Sequence, residues 1–366
     1  MSKARQLADL GNQVDDGAIT GSNMVINGGM TVAQRGVSAT GINVSNYYTV
    51  DRFTYTQGSG GGSGVLTMTQ EDDAPEGFAK SAKFEVTTSD TLSGSENILF
   101  RTRLEGQNLQ QLKYGTINAQ SITLSFWVKS SLTGTYTAGF NSVNTTDSSS
   151  IRYYKGYTVN AANTWEYKTL TIPAQTTNTI DSDNSQGLDL EWVLDAGPDD
   201  IVSPSTAWAN TGKFAAVTGQ VNFMATSGAT WQITGVCLNV GDSAIAFPHQ
   251  SYGDELQRCM RYYWRVEPHS SDQVMLGNGY FWASTGFRPF VPFPTTMRAE
   301  PSVTSNGLEV LSLTSVDNYV SVTASLDEGK NGIGLNVGDV SGTVGYSGIL
   351  RVGGDAGDYF AVDAEL

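Results

Sequence analysis

Short apolar runs, separated by clusters of Gly, Ser and Asn, recur along most of the chain. The clearest run is LDLEWVL at 188–194, where every second residue is apolar. An alternation of period two predicts a β-strand with one face on a core and the other in water. Asp189 and Glu191, which fall between the apolar positions, are therefore expected to face solvent. Many such runs between residues 23 and 250 predict a jelly-roll β-sandwich.

Two segments follow a helical pattern instead. In 251–264 the apolar spacing i, i+3, i+4, i+7 predicts an amphipathic helix through Leu256, Cys259, Met260 and Tyr263. Residues 2–10 predict a second helix, followed by a linker at 11–22. A helix this short is marginal alone in water, so we expect Leu7 and Leu10 on its apolar side to attach the chain to a partner.

After the central helix, strand patterns return up to the end of the sequence. The sequence therefore predicts an all-β protein in four parts. These are a short N-terminal attachment segment (1–22), a jelly-roll β-sandwich (23–250), one connecting helix (251–265) and a smaller C-terminal β-domain (266–366).

Composition supports this fold class and narrows the choice of partners. The 366 residues include 41 glycines and only 16% charged residues, against about 25% in average domains. The net charge of −15 disfavours binding to nucleic acid or to anionic lipid. No apolar stretch predicts a signal peptide or a membrane span, so we expect synthesis in a host cytoplasm. Cys237 and Cys259 are too few for a disulfide framework and are expected to be reduced thiols.

No constellation of residues predicts catalysis, and we expect a protein that is not an enzyme and needs no cofactor. His249 and His269 have no metal-ligand spacing. Asp181 and Asp183 resemble the start of a calcium loop, but Trp192 occupies the position where an EF-hand requires a bidentate glutamate. An EF-hand is excluded, and a looser structural calcium ion at Asp181 and Asp183 stays open.

Aromatic residues give the best binding signal, because sugar rings stack on flat aromatic faces. Four tryptophans lie within strand patterns and are expected in the core: Trp127, Trp165, Trp192 and Trp231. Tyr153 and Tyr154 follow a polar run, and Trp208 lies in a Ser- and Pro-containing loop. These three residues are the predicted glycan-binding residues, and the alternative is that they anchor loops to the core.

The end of the central helix carries a second aromatic group. If one helical stripe packs on its own domain, Tyr262 and Trp264 point away from that domain and form an exposed patch. Such residues are enriched in interface hot spots, which predicts an oligomer interface at Tyr262 and Trp264. The alternative is that the C-terminal β-domain covers them.

Four stretches, taken in order, resemble a family of bacteriophage virion proteins of the tail fibre, minor tail and minor structural types. They are NMVING at 23–28 with QRG at 34–36 and YTVDRF at 48–53; DSDNSQGL at 181–188 with Trp192 and Trp208; WQITGVCLNVG at 231–241; and SYGDEL at 251–256 with Cys259 and RYY at 261–263. Cys237 and Asn239 stand where the family usually has Gln and Glu, so this chain is a divergent member of the pattern.

The resemblance covers roughly residues 23–265 and implies a virion location and a sandwich similar to carbohydrate-binding modules. By the same analogy we expect a homotrimer. With the short N-terminal helix and the aromatic residues, the resemblance leads to the hypothesis of a tail-fibre subunit that attaches to other virion proteins through its N-terminus and binds a host surface glycan. Two alternatives remain: a purely structural head-decoration or tail-adaptor protein without a ligand, and a glycan-cleaving tailspike.

Overall fold

The computed structural model describes residues 23–60, 62–210, 212, 215–269, 271–312, 316–318 and 320–366. The chain divides between Tyr252 and Gly253 into two units, a first unit up to residue 252 and a second unit from residue 253. The predicted attachment helix with Leu7 and Leu10 lies outside the described residues. The helix that was expected to connect two domains falls almost wholly in the second unit.

The first unit contributes thirteen strands within its described residues. In chain order they are β1 (Ser38–Ile42), β2 (Phe53–Gly58), β3 (Val65–Glu71), β4 (Ser81–Thr88), β5 (Asn97–Glu105), β6 (Ile122–Ser130), β7 (Gly134–Asn144), β8 (Ser149–Val159), β9 (Glu166–Ile172), β10 (Gln186–Ala196), β11 (Ile201–Val202), β12 (Ala216–Val217) and β13 (Thr230–Val240). Short 3-10 helices lie at Gly106–Leu112, Pro198–Asp200 and Phe223–Ala225.

Two antiparallel sheets make up this unit, and successive strands pass back and forth between them. The six-stranded sheet has the order β1-β3-β4-β13-β6-β9, and the five-stranded sheet has the order β2-β5-β10-β7-β8. Strands β11 and β12 form a separate parallel pair. The predicted all-β fold with a β-sandwich is confirmed.

Aromatic rings from both sheets fill the space between them. Phe100 of the five-stranded sheet lies 5.1 Å from Phe84 and 6.0 Å from Trp231 of the six-stranded sheet, measured between ring centroids. Trp192 and Trp231 are fully buried, as expected. Trp127 and Trp165 are only half-buried, which corrects their predicted core position. Trp127 lies on the outer face of its strand, against Tyr167.

Asn23, the first described residue, is hydrogen-bonded to strand β13. Asn23 donates a hydrogen bond from Nδ2 to the carbonyl of Val236 and accepts one at Oδ1 from the amide of Leu238. The amide of Met24 also donates to Leu238, at 3.0 Å. The first described residues are thereby fixed to the last long strand, β13.

The described residues of the second unit form a smaller β-structure with one helix, α1 (Tyr252–Met260). Its strands are β14 (Tyr263–Val266), β15 (Val274–Ala283), β16 (Gly286–Pro292), β17 (Ser302–Asn306), β18 (Leu308–Leu311), β19 (Val316–Asn318), β20 (Ser321–Glu328), β21 (Gly332–Gly338), β22 (Ser347–Val352) and β23 (Tyr359–Asp363). They form a three-stranded sheet, β14-β23-β17, and a seven-stranded sheet, β19-β18-β22-β15-β16-β21-β20.

Helix α1 ends at Met260, four residues before the predicted end. Tyr263 and Trp264 instead begin strand β14, where Trp264 pairs with Val362 of β23. Tyr262 is buried, and the Trp264 ring packs edge-on against Phe293 and Phe360. The predicted interface is therefore wrong for Tyr262, which its own unit covers, whereas Trp264 is half-buried and its interface role stays a prediction.

Candidate functional site

Two of the three predicted glycan-binding residues belong to a strand and not to a loop. Tyr153 and Tyr154 lie in β8, and neither presents an exposed ring. Tyr154 packs with Ala215 and Val217 on the outer side of the five-stranded sheet, while Tyr153 joins the sandwich core. The glycan-binding prediction for Tyr153 and Tyr154 is wrong, because the polar run before them forms the β7–β8 turn and β8 continues through both.

Trp208 anchors its loop to the sandwich. Its indole Nε1 donates to the Pro173 carbonyl at 2.8 Å, and its ring lies 5.9 Å from that of Tyr114 and 5.7 Å from that of Tyr153. The side chain is half-buried. This is the anchoring role that the sequence left open, and a glycan-binding role for Trp208 stays a prediction.

The two aspartates of the suggested calcium loop serve the local backbone. Asp181 Oδ2 accepts hydrogen bonds from the amides of Thr145 and Thr146, and Asp183 Oδ1 accepts one from the amide of Ser185. Among the described residues, no group of three or more His, Cys, Asp or Glu side chains is arranged to hold a metal ion. Asp181 and Asp183 thus act as loop-stabilising acceptors.

Asp189 and Glu191 do not face water, which corrects the sequence prediction. Each side chain is 1% exposed on the outer face of the five-stranded sheet. Arg101 Nη1 lies 3.7 Å from Asp189 Oδ2 and 3.8 Å from Glu191 Oε1, and Arg103 Nε lies 3.7 Å from Asp189 Oδ1. These four residues form a buried charged cluster.

The register of three strands places this cluster. Asp189 pairs with Arg103 of β5 and Asn141 of β7, and Glu191 pairs with Arg101 and Gly139. Gly139 has no side chain, which leaves space for those of Glu191 and Tyr154. A Cβ at position 139 would lie 3.0 Å from Glu191 Oε2 and 3.1 Å from Tyr154 Cε1. The outer face therefore closes over the carboxylates.

Strands β11 and β12 cover the same face. Ala216 packs on Leu99 and Val193, which point outward beside the cluster. Ala209 and Arg152 exchange backbone hydrogen bonds of 2.8 and 3.0 Å, which extends the five-stranded sheet beyond its edge strand β8. The cover removes the carboxylates from solvent.

Burial has an electrostatic consequence for this cluster. Loss of hydration, together with the charge of Asp189, raises the pKa of Glu191 to about 7. Burial likewise raises the pKa of Asp189, against the opposing effect of Arg101 and Arg103. In the described part of the chain, neither oxygen of Glu191 accepts a hydrogen bond. The cluster is an enclosed ion-pair network and not an open catalytic carboxylate pair.

The outer face of the seven-stranded sheet in the second unit is open by contrast. Tyr280, Trp282 and Phe290 are 49%, 43% and 53% exposed. Tyr280 and Arg288 are direct cross-strand partners, and Phe290 follows Arg288 by two positions on β16. We name Tyr280, Trp282, Arg288 and Phe290 the aromatic face.

Specific contacts fix the rings of the aromatic face. Trp282 Nε1 donates to Asn336 Oδ1 of β21 at 3.0 Å, and the Arg288 guanidinium carbon lies 4.5 Å from the Trp282 ring centroid. Gly332 makes room for Phe290, because a Cβ there would lie 2.4 Å from the end of that ring. The aromatic surface is thus positioned by its own sheet.

A groove of about 630 Å³ continues the aromatic face along the sheet. Leu311 and Ile349 supply apolar walls, and Asn278, Ser312 and Ser347 supply amide and hydroxyl groups. Ser347 is the cross-strand partner of Tyr280, and Asn278 precedes Tyr280 by two positions. An apolar lining with a few polar groups is typical of small-ligand sites.

Sequence reasoning missed this face although its signal was present. The segments YFW at 280–282 and FRPF at 287–290 contain aromatic residues on both sides of their strands. Phe281 and Phe287 point into the core, where their tilted rings lie 5.1 Å apart between centroids. The intervening Tyr280, Trp282 and Phe290 must then point outward, in positions that alternation would assign to polar residues.

No family model matches the sequence, and no curated protein matches it. Similar solved structures include the enzymatically active domain of bacteriophage CBA120 tailspike protein 4 (14% identity, TM-score 0.34), over 60% of this chain and 21% of that one. This chain therefore spans about a fifth of the tailspike chain.

Two further similar structures have names that refer to carbohydrate or sugar binding. One is the family 11 carbohydrate-binding module of a Clostridium thermocellum cellulase (8% identity, TM-score 0.29), over 58% of this chain and 98% of that one. The other is a sugar-binding protein of Bacteroides thetaiotaomicron, described as putative (8% identity, TM-score 0.32), over 60% and 99%.

None of the described helices is both long and apolar enough to cross a membrane.

Proposed function

We propose that this chain is a tail-fibre-like subunit of a bacteriophage particle that binds a glycan on the host surface. The observation that carries the glycan-binding part is the aromatic face. Tyr280, Trp282 and Phe290 present rings to solvent on one side of one sheet. A pyranose ring has an apolar C–H face that stacks on such rings, while its hydroxyls pair with amide and hydroxyl groups.

The polar groups near the rings fit this chemistry. Asn336 Oδ1 accepts a hydrogen bond from Trp282 Nε1 and so holds the indole ring in place. Asn278 and Ser347 line the adjoining groove. Contiguous exposed apolar surface on a soluble protein usually marks an interaction site. The aromatic face and the groove together offer a stacking platform with flanking hydrogen-bonding groups.

The virion part of the proposal rests on a different observation, the order of the four sequence stretches between residues 23 and 265. In this proposal the chain assembles as a homotrimer, attaches to other virion proteins through residues 1–22 and contributes no catalytic step. Immunogold labelling of intact particles tests the location. Labelled tail fibres support the proposal, whereas particles without label overturn it.

A binding measurement with matched variants tests the glycan part. We expect Trp282→Ala and Tyr280→Ala each to lower glycan-array binding of the full chain about tenfold or more, since burying a large apolar side chain contributes about 1.5–3 kcal/mol. Tyr167→Ala is the control, because Tyr167 is equally exposed but lies in the first unit. Unchanged binding in both face variants would contradict the proposed site.

The enclosed charged cluster bears on the enzymatic alternative. A glycan-cleaving tailspike needs two carboxyl groups that reach the scissile bond from one cleft. Asp189 and Glu191 are the adjacent buried pair, but arginines and strands β11 and β12 enclose them. This arrangement favours binding without cleavage, and release of reducing sugar from host envelope would argue against it.

A further inference from the structure

Arg288 lies at the centre of the aromatic face, and its surroundings indicate the class of glycan. We infer that the glycan carries an anionic group, a carboxylate or a phosphate, and that the Arg288 guanidinium receives it. This inference rests on the proposed glycan binding at the same site. It concerns which glycans bind, and not whether the face binds glycans.

The other arginines of the second unit all have acceptors. Arg258, Arg265 and Arg351 lie within ion-pair distance of Glu255, Glu267 and Glu309. Arg261 and Arg298 donate to backbone carbonyls. Arg288 differs from these five, because among the described residues it has no carboxylate within ion-pair distance, and its buried Nε has no hydrogen-bond acceptor.

The Trp282 ring orients this unpaired group. The guanidinium carbon lies 4.5 Å from the ring centroid, so the planar group stacks on the indole. Tyr280 lies directly across from Arg288 on the neighbouring strand. A saccharide stacked on the exposed rings would bring its substituents to the guanidinium.

Charge makes the unpaired arginine informative. The chain has 36 acidic against 21 basic residues and a net charge of −15, so carboxylates outnumber the cations that could pair with them. On the same outer face, Glu309 is already engaged with Arg351 at 2.8 Å. A guanidinium left without an acceptor in such a protein is matched to an oxyanion from outside, which it binds through two parallel N–H donors.

The test compares acidic and neutral glycans on one array that holds neutral, uronic-acid-containing and phosphorylated oligosaccharides. We expect the full chain to prefer acidic members by about 10- to 100-fold, which is the range for hydrogen bonds to a charged group. Arg288→Gln should remove this preference, and Arg288→Lys should retain part of it. Arg351→Gln is the matched control, since it removes a paired arginine from the same face.

The outcomes separate this inference from the proposed function. Preference for either uronic-acid or phosphorylated members, lost in Arg288→Gln, supports the inference and identifies the anion. Equal binding of neutral and acidic members, lost in Trp282→Ala, overturns the inference and leaves glycan binding intact. Binding to no glycan, together with self-association lost in Trp282→Ala on sedimentation, overturns both and makes the face an interface between copies of this chain.

Discussion

The outer faces of two sheets in this molecule differ in the side chains they carry and in whether those side chains are buried. On the five-stranded sheet of the first unit, charged side chains point outward and are buried. On the seven-stranded sheet of the second unit, aromatic side chains point outward and are exposed. The first face carries the polar residue types expected on a solvent side but buries them, whereas the second face exposes residue types expected in a core.

The difference lies in what covers each face. Strands β11 and β12 cross the first face, so its polar residues had to become partners of one another, as Asp189 is with Arg101 and Arg103. No described strand of the second unit crosses the aromatic face, and its rings keep about half of their surface in solvent. A covered row of outward-pointing polar side chains indicates a structural role. An exposed row of outward-pointing apolar side chains indicates a binding role.

The largest effect is expected from a tryptophan pair that contrasts core with aromatic face. Trp192→Ala should lower the free energy of unfolding by about 3–5 kcal/mol, because the ring packs between the sheets against Phe100 and Phe126. Trp282→Ala should cost below about 1 kcal/mol, since its side chain is 43% exposed and lies outside the core. Urea unfolding measures both, and similar losses for the two variants would remove the contrast.

An arginine pair sharpens the same comparison. Arg101→Met should destabilise the first unit by about 3 kcal/mol, because it leaves Asp189 and Glu191 buried without their shared cation. Arg288→Met should change stability by no more than about 0.5 kcal/mol, since it breaks no ion pair. A denaturant titration that finds Arg101→Met as stable as the wild type would show that the cluster is open to water.

The smallest expected effect is a pH dependence of stability. The folded chain holds a proton on Glu191 up to its pKa of about 7, whereas the unfolded chain releases it near pH 4.5. The free energy of unfolding should therefore fall by about 1–3 kcal/mol as the pH rises through this window. Burial also raises the pKa of Asp195 to about 6, which adds to the fall.

Glu191→Gln isolates the contribution of that carboxyl group. The variant should show a shallower loss of stability between pH 4.5 and 7.5, with the remaining slope due to Asp195 and other groups. Glu76→Gln, at an exposed position, serves as the control and should follow the wild-type curve. A wild-type slope retained in Glu191→Gln would mean that Glu191 is already ionised in the folded chain.

The sequence allowed the fold class to be predicted because strand alternation is a local property. The run at 188–194 forms β10, and Trp192 lies in the core as expected. The helical spacing at 251–264 identified α1 but not its end, because pairing of Trp264 with Val362, about a hundred residues away, decides where the helix stops. Contacts so distant in sequence leave no local signal.

The site was harder to predict for the same reason. Alternation assigns Asp189 and Glu191 to one face of a strand, but whether that face is covered depends on residues near 201 and 216. Tyr153 and Tyr154 follow a polar run that looks like a loop and is in fact a hairpin turn of β7 and β8. The exposed rings of the aromatic face became recognisable only once Phe281 and Phe287 were known to fill the core.

The bonds of Asn23 give the first unit a mechanical property. Its side chain and the Met24 amide bind β13 at Val236 and Leu238, so the first described residues are hydrogen-bonded directly to the last long strand of the sandwich. A force that pulls residue 23 away from β13 acts first on these hydrogen bonds. The sheets carry no tension until those hydrogen bonds break. The core between Phe84 and Phe100 is thereby shielded from load.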